Sequence, residues 1–300
     1  MTASAPLRGV YVPLVTPFGD DGRVDYDSLQ RLARDLLEAG AAGIVALATT
    51  GEVTSLDDEE RRSVVAACAE VCVQAGAPLI VGAGTNDTAT TVARHAALAH
   101  VPAVVASLAV VPYYVRPSEA AIVAHFAFVA ERSAVPLVVY NIPYRTGRGL
   151  GAEALLELAS MPGIAGVKQA VGSLDADTLR VLAGAPAGFA LLGGDDLYLA
   201  PVVLMGGAGA IAASAHLATA RFVAMIDAAL AGDAAKARTH ASALLALVLA
   251  LFAEPSPAVL KAVLHAQGRI PTAAVRMPLA PASLAGTAAA LAALDAASAS

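Results

Sequence analysis

The sequence predicts an α/β fold, a (β/α)8 TIM barrel with a C-terminal helical extension. Two observations carry this. Eight short apolar runs recur within residues 1–218, and the segments between them have helical periodicity. Strands that read as unbroken apolar runs, rather than as alternations, belong to parallel sheets covered on both faces. Eight such units in roughly 220 residues suit a closed barrel. A doubly wound open sheet is the alternative, but no GxGxxG ends a strand and opens a helix.

The strand candidates, in order, are VYVPLV (10–15), GIVALA (43–48), LIVGAG (79–84), AVVASL (103–108), LVVYN (137–141), IAGVK (164–168), FALLGG (189–194) and GAIAAS (209–214). After the first strand, Leu29, Leu32, Ala33, Leu36 and Leu37 form one helix face, with Arg31, Arg34, Asp35 and Glu38 opposite. The helix after TSLDDEERR takes Thr54 or Ser55 as its cap and an acidic first turn that suits the helix dipole. From residue 219 the pattern is helical only, over 219–231, 234–253 and 257–267, with Ser256 capping before Pro257. This divides the chain into a barrel, 1–218, and a helical region packed on it, 219–300, whose Ala-rich tail after residue 284 is expected to fray.

A formal net charge of −6 with 15% charged residues offers no basic surface for nucleic acid. A small anionic substrate would have to be held by individual arginines. Hydrophobic content is 57%, much of it alanine. The run 241–253 falls short of the ~20 residues needed to span a bilayer. The start MTASAPLR has no apolar signal region, so the expectation is a cytoplasmic protein without a membrane partner. Cys68 and Cys72, four apart on a helix, read as buried small residues. The scattered histidines have no metal-ligand spacing, so no metal and no other cofactor is expected.

In a (β/α)8 barrel the chemistry sits at the C-terminal strand ends. There the sequence puts Thr49, Thr50, Gly51 and Glu52, then VPYYVRPS, then Tyr140 leading into IPYRTG, then Lys168, then Asp195 and Asp196. The chain has only three lysines, Lys168, Lys236 and Lys261, and arginine carries nearly all other positive charge. A lysine at the end of a buried strand points to a need for a primary amine. Such an amine condenses with a ketone to a Schiff base, an electron sink that lets the neighbouring carbon lose a proton. It must be neutral to attack; a free lysine has pKa ~10.4, and burial lowers it. Tyr140 and Thr49 supply hydroxyls for the proton transfers, and Arg145 a planar fork for a carboxylate. The residues by themselves leave plainer readings open. Lys168 could be a structural lysine tied to a carboxylate, Tyr113–Tyr114 packing aromatics, Thr49–Gly51 an ordinary turn, and Arg145 a surface ion pair. Asp195 and Asp196 read as helix caps, and Lys236 and Lys261 as surface or structural residues.

ATTGEVTSL (48–56), VPYYVRPS (111–118), YNIPYRTG (140–147), GVKQAVG (166–172), GGDD (193–196) and EPSPAVLK (254–261) occur in order. Together they resemble the dihydrodipicolinate synthase / N-acetylneuraminate lyase family of class I pyruvate-dependent aldolases, over nearly the whole chain. The resemblance implies a pyruvate Schiff base at Lys168, with Tyr140 as the acid–base phenol and Thr49 in the proton relay. It implies that Thr50, with backbone help at Gly51, binds the pyruvate carboxylate and that Ile211 lines the pocket. Tyr114 would complete the relay from a neighbouring subunit of a homo-oligomer, a dimer or a dimer of dimers. Arg145 in YNxPxRTG favours the synthase, which joins pyruvate to the carboxylate-bearing aldehyde L-aspartate 4-semialdehyde. Another aldolase or dehydratase acting on a keto or sugar acid is the alternative, and a non-catalytic keto-acid-binding regulator a further one. Ala48, Val53, Gln169, Val171 and Tyr144 depart from the family pattern around the pocket. In lysine-regulated relatives a glutamate stands at the position of Thr90 and a histidine at that of Arg61, so weak inhibition by lysine is expected.

Overall fold

A computed structural model describes residues 7–299. Its eight strands are β1 (Gly9–Pro13), β2 (Gly43–Ala46), β3 (Leu79–Gly82), β4 (Val104–Val110), β5 (Leu137–Asn141), β6 (Ile164–Gln169), β7 (Ala190–Gly193) and β8 (Gly209–Ile211). They pair in parallel, in sequence order, and β8 closes on β1. Each predicted run holds a strand, though β8 is cut to three residues.

Period-two alternation divides every strand between two cores. On β5, Leu137 and Val139 face outward with Val167 of β6, against helices that contribute Ile122, Phe126 and Leu155. Val138 and Tyr140 face inward, beside Tyr11, Val45, Ile80, Leu192 and Ile211. The barrel interior is therefore a packed core whose upper layer ends in polar side chains.

Helices α1 (Tyr26–Glu38), α2 (Asp58–Ala75), α3 (Thr88–Ala96), α4 (Glu119–Arg132), α5 (Pro143–Thr146), α6 (Ala152–Ala159), α7 (Ala176–Gly184), α8 (Leu199–Leu204) and α9 (Thr219–Leu230) alternate with the strands. In α1 the predicted face buries Leu29, Leu32, Ala33 and Leu36. Packing against β1 and β8, α9 closes the outer ring. Beyond it lie α10 (Ala234–Leu251), α11 (Ala258–Ala266) and α12 (Leu284–Ala299).

Four local expectations are corrected. The cap of α2 is Asp57, not Thr54 or Ser55: Asp57 accepts from the Glu60 N–H while Glu60 reaches back, a reciprocal capping box. Val53–Ser55 instead form a 3-10 turn. Ser256 does not cap α11, whose first residue is Ala258 and which has no side-chain cap. The Ala-rich tail is helical: α12 buries Ala290, Leu294 and Ala297 and packs on α10 and α11. Small residues let these helices approach closely, so the tail has an apolar face to bury. Finally, α10 begins before the run 241–253 and ends within it, at Leu251: its 18 residues, mean hydropathy 1.3, are long and apolar enough to cross a membrane. It packs against α9 and α12 through Ala237, Leu244, Leu247, Val248 and Leu251.

Candidate active site

β6 delivers Lys168 to the barrel mouth because Val167 takes the outward position. Its register neighbours are Tyr140 on β5 and Leu192 on β7. The side chain is buried, and its Nζ lies over the Tyr140 ring, 4.2 Å from the centroid. Among the described residues the amine has no hydrogen bond and no ion pair. Gly194 makes room for it: a Cβ there would lie 2.9 Å from Lys168 Cε and Cγ. Burial pulls the amine from the ordinary lysine value down to about 8; the Asp196 and Asp195 carboxylates oppose this, and Arg145 adds to it.

Tyr140 is itself buried, which pushes its phenol up; Arg145 and a hydrogen bond with Thr49 act the other way. The phenol is therefore protonated at rest, with the Thr49 hydroxyl as its partner. Thr49 stands in a 3-10 turn, Thr49–Gly51, with its side chain at the surface of the cavity, while Thr50 is buried. The turn closes by the Gly51 N–H donating to the Ala48 carbonyl at 3.0 Å. Lys168, Tyr140, Thr49, Thr50, Arg145 and Ile211 all line one cavity of about 760 Å³. Part of its outer wall comes from Val248, Leu249 and Phe252, at the end of α10.

The sequence model of the Dihydrodipicolinate synthetase family matches residues 6–297. The chain belongs to this family. It is 40% identical over 290 residues to 4-hydroxy-tetrahydrodipicolinate synthase of Neisseria gonorrhoeae, covering 97% of this chain and 98% of that one. Its structure is similar to the chloride-inhibited dihydrodipicolinate synthase of Acinetobacter baumannii complexed with pyruvate. That match has TM-score 0.93 and 32% identity over 97% of this chain and 99% of the other. A monomeric dihydrodipicolinate synthase variant superposes with TM-score 0.93 and 30% identity, covering 97% of both chains.

Two residues that the family resemblance assigns to the site stand apart from this cavity. Gly51 is buried within the turn, and its carbonyl accepts from the Thr16 hydroxyl at 2.7 Å. Tyr114 is 87% exposed and has φ +69°, a left-handed conformation that costs energy in a residue bearing a side chain. Its neighbour Tyr113, by contrast, lines a second cavity of about 520 Å³.

This second cavity adjoins the first, sharing Thr49, Tyr140 and Arg145. Val53, Asn86, Thr90, Arg61 and Arg94 also line it. Arg61 donates to the Val53 carbonyl and to Asp58. Arg94 is held somewhat below its ordinary value by burial and by the Arg61 charge. This second cavity is thus lined by two guanidinium groups beside Asn86 and Thr90.

The reading of Asp195 and Asp196 as helix caps is corrected. The Asp195 carboxylate accepts from the Gly172 N–H at 2.5 Å, and that of Asp196 from the Ser214 N–H at 2.6 Å. They tie the loops after β6 and β8 to the loop after β7, and both carboxyls are raised, chiefly by burial. Both line the Lys168 cavity. GGDD was the available signal; the partners of its acids, 23 and 18 residues away, were not.

Proposed function

We propose that this enzyme condenses pyruvate with L-aspartate 4-semialdehyde through a Schiff base on Lys168, the reaction of a 4-hydroxy-tetrahydrodipicolinate synthase. The observation that carries the reading is the Lys168 amine: buried, unpaired among the described residues, brought down to about 8, and facing a cavity it shares with Tyr140, Thr49 and Arg145. An amine held for structure would have acceptors around it; a nucleophile needs its lone pair free.

The neutral amine attacks the pyruvate ketone, and the tetrahedral oxygen leaves as water after gaining protons through Tyr140 and Thr49. The iminium acidifies the methyl group, which passes a proton to the Tyr140–Thr49 relay and leaves an enamine. Its carbon bonds to the aldehyde carbon, whose oxygen takes up a proton. Finally the amine of the condensed semialdehyde displaces Lys168 and closes the ring. Thr50 and the Gly51 turn bind the pyruvate carboxylate, Ile211 closes the apolar side of the pocket, and Arg145 grips the carboxylate of the aldehyde. This chemistry calls on no metal and no further cofactor.

Tyr114 acts from a neighbouring subunit of a homo-oligomer. Its exposure, its strained backbone and the adjacent exposed Val115 support this, since a relay residue that misses its own cavity needs another one to serve. The free, buried thiols of Cys68 and Cys72 suit the reducing cytoplasm. The substrate is tested by a panel of aldehydes with pyruvate. Aspartate semialdehyde should turn over fastest; a sugar-acid substrate turning over while it does not would replace this reading.

A further inference from the structure

The turn that carries Thr49 and Thr50 is held by residues distant in sequence that line neither cavity. Glu52, which ends it, has φ +53° and ψ 36°. A side-chain-bearing residue keeps that left-handed conformation only where its surroundings over-determine it. Here they do. The Glu52 carboxylate accepts from Lys261 Nζ at 2.8 Å through Oε1 and from the Arg276 backbone N–H at 2.8 Å through Oε2. Lys261 donates a second bond to the Thr16 carbonyl at 2.9 Å and lies 4.0 Å from the centre of the Phe18 ring. The Thr16 hydroxyl donates in turn to the Gly51 carbonyl at 2.7 Å. A closed circuit thus runs from Gly51 through Glu52, Lys261 and Thr16 back to Gly51. Both charged side chains are 0% exposed, so no solvent competes for either.

We infer that Lys261, on α11, is a positioning residue for the turn that presents Thr49 to Tyr140 and Thr50 to the cavity. The inference rests on the relay and carboxylate-binding roles given above to those threonines. Without the ammonium, the Glu52 carboxylate is stranded in a dry interior. With only the Arg276 N–H left to hold it, it swings outward, and that releases the left-handed residue that ends the turn. The Thr16 carbonyl loses its donor at the same time. A misplacement of about 1 Å at reacting groups costs roughly 100-fold in rate.

The test is steady-state kinetics and thermal melting of Lys261→Met and of the double variant Lys261→Met/Glu52→Leu, with Thr49→Val and Thr50→Ala as references. Lys261→Met should melt lower and lose about 100-fold in kcat/KM, with pyruvate KM raised. The double variant removes the stranded charge and should melt higher than the single one while remaining about as impaired, because apolar packing does not tether the turn. It also supplies the kinetics if the single variant fails to fold. Wild-type kcat and KM in either folded variant, or recovery of kcat/KM together with stability in the double, would overturn the inference. Failure of the underlying reading looks different: Thr49→Val and Thr50→Ala would then be as active as the wild type.

Discussion

Two of the three lysines in this chain are buried, and the two sites treat the same side chain in opposite ways. Lys261 is sealed between Glu52, the Thr16 carbonyl and the Phe18 ring. Lys168 has one ring face beside it and otherwise an open cavity. Burial disfavours the ammonium at both. The difference lies in acceptors. Glu52 offsets part of the burial at Lys261, though that amine too is brought down to about 8, and its two directed acceptors turn its donors into a tether, whereas Lys168 has no acceptor among the described residues and lines the cavity. Low exposure alone therefore does not mark a nucleophile; low exposure with no partner, at a cavity wall, does.

The largest expected effect breaks that contrast at Lys168. In Lys168→Arg the charge is kept, but a guanidinium cannot supply a neutral amine at working pH. Turnover should fall by about 10⁴-fold or more, as when a nucleophile is removed elsewhere, while thermal stability stays near that of the wild type because no native hydrogen bond or ion pair to the amine is lost. Measurable turnover by Lys168→Arg would move the nucleophile elsewhere. Arg145→Ala should still allow pyruvate trapping at Lys168, with its pH midpoint moved up because the Arg145 charge lowers the amine, and should weaken use of aspartate semialdehyde by about 10- to 100-fold, the loss of one charge-assisted bond. Equal loss of trapping and turnover would place Arg145 with pyruvate instead.

A comparable reduction separates this chain from lysine-regulated relatives. With Thr90 in place of an acid and with Arg61 and Arg94 lining the second cavity, L-lysine should bind roughly 10- to 100-fold more weakly than where that acid is present. An inhibition curve at saturating pyruvate measures it, and strong inhibition at submillimolar lysine would show that Asp57, Asp58 or Glu60, or another site, has taken over the role. The smallest effect sharpens the contrast between the lysines. The Asp196 carboxylate raises the Lys168 value, so Asp196→Asn, whose side-chain oxygen still accepts from Ser214, should move the pH midpoint of pyruvate trapping downward. No shift, or an upward one, would remove Asp196 from the electrostatics of the amine.

Much of this was legible in the sequence, and the limits are physical. The eight strands could be read because a doubly covered sheet needs continuous apolar runs, and LVVYN matches β5 residue for residue. Lys168 stood out because it is a rare residue at the end of such a run. Helix starts were less legible: Thr54, Ser55 and Asp57 are all good caps, and only the Glu60 reciprocal bond selects Asp57. Contacts across the fold left almost no trace. Glu52 and Lys261 belong to two of the motifs that marked the family, but nothing in either motif says that they meet across 209 residues.

Whether Lys168 is the nucleophile is decided by reducing the enzyme with borohydride in the presence of pyruvate and mapping the adduct by mass spectrometry across pH. The Lys168 amine, depressed to about 8, is neutral above that pH and increasingly protonated below it; at pH 7 roughly one-tenth is neutral. An adduct is expected on Lys168 alone, forming faster as pH rises and levelling off above about 8. An adduct on Lys261 or Lys236, or no adduct in an enzyme that turns over, would contradict it.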